Sequence, residues 1–147
     1  MENSFDMLVT GQQFRKIMEK RCDRLSIKYH VRLVEMDILC YLSKAGIRDT
    51  ARDIMADMHI SKAHISKSVE HLKDRGYLML EEDEKDRRCI HLCITEKAKP
   101  LIREFAAERK QFLEKLFEGV TKEEKEVMLR TMTKILSNLN KEYEQRI

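Results

Sequence analysis

The sequence predicts a mainly α-helical chain with one small β-hairpin, in which a central lobe is flanked by long helices at both ends. Three observations carry that expectation. Apolar residues recur at helical spacing near the start (Phe14, Met18, Cys22, Leu25) and near the end (Met128, Met132, Ile135, Leu139, Tyr143). Strand-like apolar runs cluster within residues 77–94, on either side of a charged stretch. One proline and four glycines in 147 residues leave little room for linkers or low-complexity tails. With 42% hydrophobic and 37% charged residues, the chain fits a soluble protein of one domain, or a small domain with helical extensions.

The opening residues, MENSFDMLVTG, hold early acids, no basic region and no long apolar run. Neither a secretory signal nor a membrane span is expected, which makes the expected location cytoplasmic. A first helix is expected from about residue 5 to about residue 27, with Met7 or Leu8, Phe14, Met18, Cys22 and Leu25 as its stripe and no clear end signal. The second is expected from about residue 33 to about residue 44, where Met36, Leu39, Cys40 and Ser43 share a face and Gly46 follows as a stop. Thr50 and Asp53 have the spacing of a capping box for a short third helix holding Ile54 and Met58. His59 and Ile60 then turn into a fourth helix with Ser61 as its N-cap, which is the spacing of a helix-turn-helix.

In that fourth helix Ile65, Val69 and Leu72 recur at core spacing, and Gly76 stands where a helix would stop. The other face carries Lys62, Ala63, Ser66, Lys67, Glu70 and, more laterally, His64 and Lys73. Short, polar or basic side chains of this kind suit close approach to a major groove. Tyr77-Leu78-Met79-Leu80 has strand length, the charged run from Glu81 through Asp86 reads as a hairpin tip, and Ile90, Leu92 and Ile94 alternate as a second strand. Arg87 and Arg88 lie at or just after the tip, where extended guanidinium groups enter a minor groove or clamp phosphates. Asp86 is placed to orient one of them, and the sequence leaves open which arginine enters the groove.

Beyond the hairpin, Thr95 is expected to cap a long helix bearing Leu101, Phe105, Phe112, Leu116 and Phe117, with irregular opening turns at Pro100. Gly119 ends it, and Thr121-x-x-Glu124 is a second capping box that opens the last helix. Long amphipathic helices with no further core to cover need a partner surface. The first helix and the last two are therefore expected to wrap those of a second copy about a two-fold axis.

Helix, Gly76, apolar strand, Asp83-Glu84-Lys85-Asp86-Arg87-Arg88 and then Leu92-Cys93-Ile94-Thr95 resemble the winged helix-turn-helix of the MarR (multiple antibiotic resistance) regulators, over most of the chain. That family's wing reads Asp-Pro-x-Asp-x-Arg, then an apolar strand, Leu-Thr and a glycine. Here Glu84 stands at the proline and Ala98 at the glycine, and neither departure removes a contact-making group. The resemblance implies a homodimeric regulator of double-stranded DNA. The chain would divide into an N-terminal dimerisation helix (residues 1–30), a winged helix-turn-helix domain (31–95) and C-terminal dimerisation helices (96–147). The expected DNA-contacting set is Ser61, Lys62, Ala63, His64, Ser66, Lys67, Lys73, Arg87 and Arg88, with Asp83 and Asp86 orienting the wing. By the same resemblance a small-molecule effector lies between the dimer helices and the winged lobe, which makes Tyr29, His30 and Arg32 candidates to line its site. The expected mode is repression of nearby genes from a palindromic operator, relieved by that ligand.

The formal charge of +3 permits nucleic-acid binding without demanding it. Over residues 50–95 acids slightly outnumber Lys and Arg, so the DNA reading rests on which face carries which sign. Four scattered cysteines do not form a secreted disulfide framework, and reduced thiols are expected. Cys89, His91 and Cys93 fall on one strand face and offer a metal or oxidant site, but same-face residues ~6.5 Å apart do not match zinc motifs built around a turn. No metal and no cofactor are expected. Cys22, beside Arg21 and near Arg24, offers a thiol sensor through a lowered pKa, against the usual reading of a helix-stripe cysteine as packing. The nine methionines read as core and dimer filler. With no glycine-rich phosphate loop, HExxH or nucleophile elbow, an enzyme is not expected. A helical adaptor whose winged domain binds protein remains the alternative from another class.

Overall fold

The computed structural model describes residues 7–146. Helices α1 (Met7–Arg21), α2 (Asp23–Tyr29), α3 (Leu33–Leu42), α4 (Ala51–Met58) and α5 (Lys62–Asp74) precede strands β1 (Leu78–Glu82) and β2 (Ile90–Ile94). A 3-10 turn over Glu96–Ala98 leads into α6 (Lys99–Leu116), and α7 (Lys122–Gln145) follows. The mainly α fold with a hairpin wing is thus as the sequence predicts. The chain divides into two compact units, one up to Phe112 and one from Leu113 on.

In the first unit α3 is the hub. Leu33, Val34, Met36, Ile38, Leu39, Cys40 and Leu42 are all buried, so this helix is covered nearly all round. Around it Leu25, Ile54, Ile65, Leu72, Leu78, Leu92, Leu101 and Phe105 complete the core. Arg21 reaches Glu108 on α6 at 3.3 Å, Lys28 reaches Glu104 at 2.7 Å, and the rings of Phe14 and Phe112 meet at a tilt of 58° with centroids 5.0 Å apart.

The expected first helix is two. Its expected start at residue 5, and the side chains of Met7 and Leu8, lie outside what is described. At Cys22 the N–H is shared between Met18 O and Glu19 O, and ψ opens to 1°, which ends α1 and begins α2. The end that carried no signal is His30, which takes the left-handed conformation (φ 54°) usually left to glycine. α3 also stops two residues short of expectation, at Leu42, with Gly46 in the turn that follows.

The Thr50–Asp53 box forms as read. Asp53 N–H donates to Thr50 Oγ1 and Thr50 N–H donates to Asp53 Oδ2, each at 3.2 Å. Thr50 also faces His91 in an isolated antiparallel bridge, which ties the α3–α4 loop to β2. Strand β1 pairs with β2 from Leu78↔Ile94 to Glu82↔Ile90. Glu81 and Glu82 therefore belong to the strand and not to the tip, because β1 beyond Leu78 is exposed on both faces and carries charge without cost. Thr95 does not cap the long helix with its side chain. Its hydroxyl donates to Gly76 O at 2.7 Å, locking the hairpin base to the end of α5, and the irregular start expected at Pro100 is the 3-10 turn.

In the second unit Gly119 adopts φ 78° after α6, and Thr121 and Glu124 form the expected capping box. Helix α7 buries none of its described side chains. Among the described residues no helix is long and apolar enough to cross a membrane.

Candidate nucleic-acid interface

Helix α5 is oriented by what it buries. Ile65, Ser68, Val69 and Leu72 face the core, so Lys62, Ala63, His64, Ser66, Lys67, Glu70 and Lys73 are all exposed. The helix begins where expected, with Ser61 Oγ accepting from His64 N–H at 3.3 Å. Among basic and small side chains, Glu70 adds an acceptor suited to a cytosine amino group.

One anchor of α5 is absent from the sequence reading. Glu35 on α3 is fully buried, and His71 Nδ1 on α5 lies 2.9 Å from its Oε1. The same carboxylate accepts from Arg32 Nη2 and from Arg32 N–H, both at 2.8 Å. A buried carboxylate needs such partners to be tolerated, so the Arg32–Glu35–His71 cluster pins α5 to the start of α3. Tyr29 O accepts from Tyr77 Oη at 3.0 Å, and His30 is exposed at the α2–α3 joint. The three residues named as effector candidates thus meet at this joint.

The wing tip is ordered through its backbone. Asp83 Oδ2 accepts from the N–H groups of Lys85 and Asp86, and Asp86 Oδ1 accepts from Arg88 N–H, all at 3.0 Å. Both carboxylates shape the loop that carries the arginines, in the manner of Asx turns. Arg87 and Arg88 are exposed, and among the described residues neither forms an ion pair. Glu84, at the position of the family's proline, is exposed in the same loop.

Cys89, His91 and Cys93 do not act as a cluster. His91 turns Nδ1 to Asp49 Oδ1 (2.6 Å) and Nε2 to Asp83 Oδ1 (2.9 Å). Hydrogen bonds to Asp49 and then Asp83 raise its pKa from 6.5 to about 9, and His91 in turn holds the Asp83 carboxyl below the ordinary range. The signal for this was present as a histidine on the strand face, but its partners lie too far along the chain for spacing to show. The thiol-sensor reading needs correction. Cys22 is fully buried, and burial, followed by the nearby Glu108 charge, pushes its thiol up to about 11. Cys89 and Cys93 are also raised, burial first and then carboxylates. A raised thiol pKa is the opposite of what a reactive sulfur needs.

A pocket of about 520 Å³ opens beside β2, walled by Leu42, Ser43, Gly46 and Asp49 on one side and by Leu92, Cys93, Ile94, Lys99, Ile102 and Arg103 on the other. None of Tyr29, His30 and Arg32 lines it.

Comparison with known proteins agrees with this geometry. The winged helix DNA-binding domain family matches residues 32–98, from the start of α3 to the end of the 3-10 turn. The HTH-type transcriptional regulator YwhA of Bacillus subtilis (strain 168), itself uncharacterized, is 25% identical over 116 residues, covering 79% of this chain and 83% of YwhA. The crystal structure of an S. aureus MepR–DNA complex superposes with a TM-score of 0.80 at 19% identity, over 94% of this chain and 99% of that one. A MarR protein from Peptoclostridium difficile superposes with a TM-score of 0.84 at 17% identity, over 100% of this chain and 96% of that one. At such identities the structures speak for the fold.

Proposed function

We propose that this chain, whose residues 32–98 match the winged helix DNA-binding domain family, is a transcriptional regulator of the MarR type, acting as a homodimeric, ligand-responsive repressor of a palindromic operator. The observation that carries the DNA-contact assignment is the exposed face of α5, from Lys62 to Lys73, beside a wing that presents Arg87 and Arg88. In this reading Ser61, Lys62, Ala63, His64, Ser66, Lys67 and Lys73 meet the major groove and its flanking phosphates, and the wing arginines reach an adjacent minor groove.

The dimer reading is supported by α7. Val127, Leu129, Leu136 and Leu139 are each about half exposed or more, on a 24-residue helix that buries nothing of its own. On α1, Phe14 and Ile17 are exposed as well. A second copy of the chain is the partner that covers such stripes, and it sets two recognition helices about one DNA turn, ~34 Å, apart. Spacing then becomes the switch, because a change in that distance lowers affinity without altering any single contact.

For the effector there are two separate candidates: the pocket beside β2, lined by Lys99 and Arg103 together with Leu42, Leu92, Ile94 and Ile102, and the joint of Tyr29, His30 and Arg32. A ligand that drew Arg32 away from Glu35 would loosen the hold of His71 on α5. Footprinting of the purified protein on its own upstream region, with sedimentation of the same sample, tests the whole reading. The expected result is a dimer protecting one stretch with two-fold sequence symmetry, released by a ligand whose effect is lost in Arg32→Ala or Arg103→Ala. Failure of the folded protein to protect any sequence in or upstream of its operon ends the proposal.

A further inference from the structure

Asp49 and Asp83 come from different parts of the winged lobe, and the ring of His91 stands between them. Asp49 closes the α3–α4 loop, and Asp83 opens the wing tip, where its other carboxylate oxygen already holds the N–H groups of Lys85 and Asp86. Carboxylates only accept, so both ring nitrogens carry a proton and His91 is an imidazolium making two charge-assisted hydrogen bonds. The loop end of this clamp is itself fixed. Asp49 O accepts from Leu92 N–H at 2.9 Å, and the neighbouring Arg48 grips both oxygens of Asp57 on α4 at 2.8 Å.

A two-stranded hairpin is marginal by itself. Between Asp83 and Cys89 the wing tip leaves the ladder, with Asp83 N–H donating to Cys89 O and Cys89 N–H donating to Asp86 O as its backbone links. Something must set the angle at which that tip leaves the lobe, and among the described residues His91 is the β2 side chain that joins the tip to the α3–α4 loop, with a hydrogen bond at each ring nitrogen.

We propose that His91 is the positioning residue for operator binding: by clamping Asp83 to Asp49 it fixes the wing tip, and with it Arg87 and Arg88, at a set reach from α5. This rests on the reading that those arginines touch DNA. His91 itself makes no base or phosphate contact; it decides where the contacts made by its neighbours fall.

The test uses the full-length protein and a labelled duplex of the footprinted site, with affinity measured by fluorescence anisotropy across a salt series. His91→Ala is expected to bind about ten-fold more weakly, with a shallower salt slope, because phosphate contacts made by the wing are lost with it. Adding His91→Ala to an Arg87→Ala/Arg88→Ala variant is expected to cost nothing further, whereas adding it to Lys67→Ala multiplies the two losses. Unchanged affinity in His91→Ala, or a loss that multiplies equally on both backgrounds, overturns the proposal. The Arg87→Ala/Arg88→Ala variant alone reads the premise, and wild-type affinity there overturns the wing-contact reading itself. Should His91→Ala lower the urea midpoint, Asp49→Asn carries the test. It keeps an acceptor but removes the charge at one end of the clamp, and is expected to show a smaller loss with the same dependence on the wing arginines; independence of them counts against the proposal.

Discussion

Helix α5 and the β1–β2 wing are neighbours in one lobe, yet they are held by opposite kinds of force. α5 drives Ile65, Val69 and Leu72 into the core, whereas Leu78 and Leu92 are the only buried side chains of the two strands. What orients the wing tip is a set of carboxylates and one imidazolium. Burial is non-directional and cooperative with the whole fold, so α5, to which the Arg32–Glu35–His71 hydrogen bonds add a polar anchor, is held mainly by the core of the lobe. Hydrogen bonds are directional and local, so the wing can be displaced while the fold stands. In the proposed reading, α5 and the wing would contact DNA with different failure modes.

The largest test of this contrast is Leu72→Ala. Loss of a fully buried leucine is expected to destabilise the protein by about 2–5 kcal/mol, read from urea unfolding, with DNA binding lost only as the fold is lost. A cost within ~0.5 kcal/mol, as on the surface, removes the claim that burial holds α5. Next come Lys67→Ala, Arg87→Ala and Arg88→Ala, taken singly. Each that contacts a base edge is expected to cost about 1–3 kcal/mol of operator affinity, and each that contacts only phosphate to weaken all sequences alike. The urea midpoint should not move, and the arginine with the greater sequence-dependent loss is the one in the groove.

Thr50→Ala removes the cap of α4 and is expected to cost about 1 kcal/mol of stability. No change would show that the bridge to β2 holds the loop unaided. The smallest effect is the titration of His91. With a folded pKa raised from 6.5 to about 9, its stabilising contribution is complete below pH 6.5 and is lost as pH rises through about 9. Asp49 and Asp83 face the ring directly, Glu81 lies opposite it in the strand pair, and the thiols of Cys89 and Cys93 flank it. NMR of the ring proton is expected to show a midpoint near 9 that falls toward 6.5 in Asp49→Asn. A midpoint near 6.5 in the unaltered protein refutes the clamp.

The two regions also differ in how well they could be read from sequence. The α5 stripe, the Thr50 and Thr121 boxes and the alternation of β2 are local patterns, so periodicity and spacing exposed them. The wing arginines were legible for the same reason. What held them was not, because His91 lies 42 residues from Asp49 and a pairing of that range leaves no period behind. Glu35 is hidden in the same way, since His71 reaches it from 36 residues away. The stop at His30 escaped because a non-glycine residue carries a conformation that sequence rules assign to glycine, and the break at Cys22 because it is a shift of one hydrogen bond at an ordinary φ of −94°. Charge misled at Glu81 and Glu82, which read as loop yet form strand, since β1 beyond Leu78 is exposed on both faces.

The most direct test of the central claim is the operator affinity of the Lys67→Ala/Arg88→Ala protein beside the unaltered one, each measured on the upstream duplex and on unrelated DNA at one salt concentration. The account predicts that the unaltered protein prefers its own site by about 10³-fold or more, and that the double variant, equally folded and equally dimeric, loses most of that preference. A double variant that discriminates as well as the unaltered protein would contradict it.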